Sequence, residues 1–105
     1  MRLVEKARAT VKPYEIEIKA RALKAIHEKL PVKVVDVVWY FIRGPLAENP
    51  KRVGKKLDAP FIDMWTARRG DYRIVYRINE DKHLVTVLDV DHRSHVYAVR
   101  PKERE

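Results

Sequence analysis

The chain predicts an α+β domain in which two N-terminal helices pack on one face of a mostly antiparallel sheet. Two observations carry this. Hydrophobicity alternates at every second position in residues 14–18 and then shifts to a helical period from residue 19. After residue 60, three strand-like runs follow one another with only short turns between them. Consecutive strands joined by tight turns pair as hairpins, and a strand–helix–helix start leaves the helices together on one side.

The elements follow in order. Tyr14, Ile16 and Ile18 alternate with Glu15 and Glu17, the pattern of a short half-exposed strand. Ala20, Leu23, Ile26, His27 and Leu30 then line one helical face, with Lys24, Glu28 and Lys29 opposite. Pro31 ends that helix and suits the first turn of the next. Residues 32–43 are β-branched and aromatic, which favours a strand, but their length and the Gly44-Pro45 stop predict a helix of about three turns. Apolar residues almost all round imply that it is covered on more than one side. Residues 44–60 carry three prolines and Gly54 and read as a long ordered loop with room for a helical turn. Strands are expected over 61–68, 71–79 and 82–91, and a last short one over 95–99. In the middle strand, Tyr72, Ile74, Tyr76 and Ile78 face the core, leaving the other face to the arginines.

A chain of 105 residues supports one core. Residues 14–100 form that domain, with an N-terminal extension (1–13) and a charged tail (101–105). No run approaches the roughly 18 apolar residues of a membrane span, and no apolar stretch at the N-terminus suggests a leader, so cytoplasmic residence is expected. The absence of cysteine excludes disulfides and thiolate metal sites. A net charge of +8 points to a polyanionic partner.

The charge is organised. Arg68-Arg69-Gly70-Asp71-Tyr72-Arg73-Ile74-Val75-Tyr76-Arg77 interleaves arginines with tyrosines, and Asp91-His92-Arg93-Ser94-His95-Val96-Tyr97 answers it one strand later. Guanidinium forks match phosphate oxygens and stay charged at any working pH. Lys51, Arg52, Lys55 and Lys56 add a basic loop, which reads either as a phosphate contact or as a solvated surface. Trp39, Trp65 and His27 read as core. No pair of histidines has the spacing of a helical metal-ligand pair, so neither metal nor cofactor is expected.

Together with Ala22-Leu23, Lys29-Leu30-Pro31 and Gly54-Lys55-Lys56-Leu57, these blocks make residues 14–97 resemble the RelE/ParE superfamily of bacterial toxin–antitoxin toxins, closest to its RelE branch. The resemblance implies an endoribonuclease that cuts messenger RNA in the ribosomal A site and is silenced by a RelB-like antitoxin. Operator DNA would be met only through the antitoxin complex. It places the family's catalytic arginines on Arg73 and Arg93 and its C-terminal tyrosine on Tyr97. Where enterobacterial-type members carry lysines, this chain has Met64 and Thr66, so the general base is left unassigned.

The chemistry fits the residue types. RNA is cut without metal when its 2′-hydroxyl attacks the adjacent phosphate, which needs a base, charge stabilisation and an acid. Arg73 and Arg93 would clamp the phosphate, Tyr97 would donate a proton or stack on a base, and His95 or His92 would accept the 2′-proton. Each histidine also reads as an ordinary strand-end residue, and each arginine as a surface group paired with Asp89 or Asp91. Arg68, Arg69 and Arg77 read as phosphate or antitoxin contacts. Two other readings stand beside this one: a ParE-like toxin that binds DNA gyrase, and an inactive RNA-binding module.

Overall fold

Strand β1 (Glu15–Ile18) leads into helices α1 (Ala20–Glu28) and α2 (Val32–Phe41), a π-helical turn (Ile42–Leu46) and the short α3 (Pro50–Val53). Strands β2 (Lys55–Lys56), β3 (Trp65–Arg69), β4 (Tyr72–Asn79) and β5 (Leu84–His92) complete the order. The structure is a computed structural model that describes residues 12–92. One five-stranded sheet runs β1-β5-β4-β3-β2. Its hairpins are antiparallel, and β1 alone pairs in parallel, Glu15 to Ile18 lying against Leu84 to Val87.

The α+β expectation holds, with the helices on one face. Ala22, Ile26, Leu30, Val38, Phe41, Ile42 and Leu46 close over Ala67, Ile74, Tyr76, Val85, Val87 and Val90. Tyr72 and Ile78 pack against the same cluster, so the core side of β4 is the predicted one. Gly70 supplies the left-handed residue of the β3–β4 turn at φ 62°. Among the described residues, no helix is long and apolar enough to cross a membrane.

Four expectations are corrected. The buried face of α1 is Ala22, Ala25 and Ile26, while Leu23 and His27 are exposed; two alanines let the helix approach the sheet where bulkier residues would hold it off. The helix of residues 32–43 does not stop at Gly44-Pro45. Pro45 lies inside the π-helical turn, whose wider hydrogen-bond spacing accommodates the missing N–H, and the Asn49 N–H donates back to the Pro45 carbonyl at 3.0 Å. So residues 44–53 are largely helical, and only 54–60, which include the two-residue β2, run as the expected loop. Only one side of α2 is covered: Val32 is 84% and Tyr40 76% exposed.

The fourth correction concerns residues 61–64. They are not strand; the Phe61 N–H bonds to Asp58 and the Met64 N–H to Phe61, turning the chain over the sheet. This lays Leu57, Phe61 and Met64 on Val75 and Leu88, a second small core on the outer face. That face is therefore not left to the arginines alone.

Candidate nucleic-acid interface

Strand register decides which charged side chains meet. Alternation puts Arg73, Val75 and Arg77 on the outer face of β4, opposite the helix-packed Ile74 and Tyr76. Arg73 pairs with Arg68 of β3 on one side and with Asp91 of β5 on the other. Lys55 pairs with Thr66, one outer-face position along from Arg68. Cross-strand neighbours have Cβ atoms about 5 Å apart, so Arg68 and Arg73 form a doubly cationic step.

The geometry of the loop that brings the lysines here is set by a buried tyrosine. Tyr76 donates from Oη to the Pro50 carbonyl at 2.7 Å. Burial pushes its hydroxyl well above the ordinary tyrosine range, so it remains a donor. Gly54 lies directly on that hydroxyl. The close approach fixes where the chain leaves α3 and enters β2.

Two grooves open beside the arginines. Among the described residues, the first, of about 630 Å³, is lined by Lys55, Lys56, Arg68 and Arg73 against the single carboxylate of Asp58. The second, of about 850 Å³, sets Lys51, Lys56, Arg77 and Lys82 against Glu17, Asp63, Glu80 and Asp81. Four cations facing one anion attract a polyanion, whereas four facing four do not. The first groove is the nucleic-acid candidate.

Several candidates are separated by this arrangement. Arg77 belongs to the second, charge-balanced groove. Arg69 lies on the helix side, its guanidinium 3.7 Å from the Phe41 ring centre, and so does not join Arg68 and Arg73. Lys51 is held 2.6 Å from Glu80, which also accepts from Tyr14 Oη at 2.8 Å; this ties α3 to the β4–β5 turn. Lys51 then Tyr14 hold the Glu80 carboxyl below its usual range. Arg52 is exposed and lines neither groove. His92 pairs in register with Tyr72 and meets its ring edge-on at 5.5 Å between centres, on the helix side. It therefore does not face the Arg73 side chain. Arg93, His95 and Tyr97 lie outside the described residues.

Met64 and Thr66 take on a structural meaning. Met64 is 2% exposed within the outer core, and the Thr66 hydroxyl is buried without a hydrogen-bond partner. Trp39 and Trp65 pack against the main core as expected, and among the described residues no acidic or histidine cluster could hold a metal.

Sequence reasoning missed what the carboxylates do. Asp89, 1% exposed, has Oδ2 3.3 Å from Arg21 Nε of α1, and Asp91 Oδ2 is 3.9 Å from Lys29 Nζ. Neither forms an ion pair with Arg73. The two aspartates in an otherwise apolar strand were a visible signal, but their partners lie some sixty residues away in the chain.

Comparison with known proteins agrees with this architecture. The model of the ParE toxin of the type II parDE toxin–antitoxin system matches residues 43–97. The toxin RelE of Mycobacterium tuberculosis is 38% identical over 89 residues, covering 85% of this chain and 91% of that protein. Toxin RelG of the same organism is 39% identical, covering 81% and 97%. Among solved structures, the M. tuberculosis RelBE2 toxin–antitoxin complex contains a chain 39% identical, with a TM-score of 0.74, covering 78% of this chain and all of that one. A helix-backed antiparallel sheet with an arginine pair on its open face, matched over four-fifths of its length by such relatives, places the chain in the RelE/ParE superfamily as a RelE-type toxin of a toxin–antitoxin pair.

Proposed function

We propose that the protein is a ribosome-dependent endoribonuclease that cleaves messenger RNA without a metal ion. The observation that carries this reading is the Arg68–Arg73 step beside Lys55 and Lys56, a concentrated positive site facing one carboxylate. Such a site favours a phosphate whose charge grows during reaction. In the reaction, the RNA 2′-oxygen bonds to the adjacent phosphorus, the bond to the 5′-oxygen breaks, and a 2′,3′-cyclic phosphate remains. Arg73 and Arg93 stabilise the crowded phosphorane. His95 takes the 2′-proton and Tyr97 gives one to the leaving 5′-oxygen. No cofactor enters this scheme.

An antitoxin segment is the expected partner, since related toxins are solved with theirs. The surface offered to it is the uncovered side of α2, with Val32, Val37 and Tyr40 exposed. Val85 and Val87 are fully buried and cannot contribute.

A second reading, gyrase inhibition without RNA chemistry, is favoured by the ParE family match. Primer extension on translated messages after induction separates the two. Discrete, codon-dependent cuts support the nuclease, and DNA damage without cuts overturns it.

A further inference from the structure

Arg73 has an obvious partner that it does not use. Asp91 is its direct cross-strand neighbour on β5, at a separation where opposite charges ordinarily pair. Yet Arg73 forms no ion pair among the described residues, and its Nε is buried without a hydrogen-bond acceptor. A paired Arg73 would be largely neutralised toward a phosphate.

Both nearby carboxylates are restrained in the same way. Asp91 Oδ1 accepts the N–H of His92 at 2.7 Å while Oδ2 faces Lys29. Asp89 Oδ1 accepts the N–H of Val90 at 2.9 Å while Oδ2 faces Arg21. Each carboxylate is thus turned by the backbone of its own strand and drawn by a cation on α1 (Arg21) or at its C-terminal cap (Lys29). A break in the register places Asp89 beside Asp91 on this side of the sheet: Val75 pairs with Asp89 but Tyr76 with Val87, so Leu88 is the extra residue. In such a bulge two successive residues oppose one on the partner strand. Leu88 joins Val75 in the outer core.

We propose that Arg21 and Lys29 are positioning residues: they hold Asp89 and Asp91 off Arg73 and so keep its guanidinium available to the RNA phosphate. They touch no substrate. This inference rests on the nuclease reading, and it assigns to α1 a part in the chemistry that α1 does not itself perform.

The test measures cleavage of messenger RNA on programmed ribosomes, under single turnover with ribosomes saturating. Wild type must cut first; if it does not, the nuclease reading fails and this inference has not been reached. Given cutting by wild type, Lys29→Ala and Arg21→Ala should each slow the cleavage step by about tenfold, less than the roughly 10²–10³ that follows deletion of a charge-stabilising donor. Lys29→Arg should retain the wild-type rate. Asp91→Asn placed in the Lys29→Ala background should restore it, because the released carboxylate that would neutralise Arg73 is gone. A structural role for Lys29 predicts no such rescue. Thermal unfolding of each variant checks that the fold is kept. Lys29→Ala cutting at the wild-type rate, or a slow Lys29→Ala that Asp91→Asn fails to rescue, overturns the proposal.

Discussion

Gly54→Ala tests whether the lysines of the basic groove are positioned by contact with the core. A Cβ at Gly54 would overlap Tyr76 Oη and lie 2.8 Å from its Cζ and 2.9 Å from the Thr66 carbonyl. None of these can yield cheaply. The tyrosine ring is held in the core, its hydroxyl is bonded to Pro50, and the third atom is backbone of a paired strand. Forcing a methyl into such a site costs roughly 1–3 kcal/mol. Pushing Oη off the Pro50 carbonyl strands a buried polar group, for roughly 1–3 kcal/mol more. The sum, about 2–6 kcal/mol, is a large part of the roughly 5–15 kcal/mol that holds a domain folded. At about 4–8 °C per kcal/mol for a domain near this size, the melting temperature should fall by at least ~8 °C.

Urea unfolding followed by tryptophan fluorescence measures it, with Trp65 well placed because its ring centre lies 6.3 Å from that of Tyr76. Tyr76→Phe removes the overlapping oxygen and leaves the other two contacts, so the double variant should be less destabilised than the two singles added together. A Gly54→Ala protein as stable as wild type, or strict additivity in the cycle, would refute the reasoning.

Arg73→Ala and Arg93→Ala should each lower cleavage by roughly 10²–10³ with the fold intact; growth arrest undiminished in both would sink the proposed site. If ribosomal phosphates are held by the loop bases, the salt dependence of ribosome binding should lose about one unit of slope for each contact removed. Because Lys51 is committed to Glu80, alanine at Lys51, Arg52, Lys55 and Lys56 together should change that slope no more than alanine at the last three. Asp89 gives a pH prediction. Burial, opposed by Arg21 and by the Val90 N–H, holds its carboxyl above the ordinary aspartate range. A carboxyl with a raised folded pKa contributes stability that is complete below its unfolded pKa and lost as pH rises through the folded one. Asp89→Asn should therefore be more stable than wild type at neutral pH, and the difference should close as pH drops into the carboxylate range; a gap that widens on acidification contradicts this. Finally, His95→Gln should remove the lower-pH limb of the cleavage profile, as expected if it is the base; an unchanged profile excludes it.

What the sequence disclosed depended on how local the determining contacts were. The β3–β4 and β4–β5 hairpins are local, and their turns and alternation were readable; the Arg68–Arg73 pairing was not, because it depends on the exact register of β3 on β4. The face of α1 was not. Leu23 and His27 are bulkier than Ala22 and Ala25, but what decides is how near the helix lies to β5, a contact across more than sixty residues. Residues 61–64 have strand composition, yet the chain reversal after Asp58 aims them over the sheet, and Phe61 and Met64 serve as a lid on Val75 and Leu88. Lys51 looked like its basic neighbours until Glu80, distant in sequence, was brought against it.

The outer core also constrains where the proposed chemistry finds its base. Met64, which replaces a lysine of some relatives, is buried under Leu57 and Phe61, so that position supplies a wall and no proton acceptor. Of the four histidines in the chain, His27 is exposed on α1 and His92 turns to the helix side with Tyr72. His83 stacks on Tyr14 at 3.9 Å near the β4–β5 turn, about 20 Å along β4 from Arg73 at roughly 3.3 Å per residue. None of these three is placed beside Arg73, and the nuclease reading proposes His95 as the base. Failure of that residue in the pH experiment would require a base of another kind, with Asp58, the lone carboxylate of the first groove, next in line.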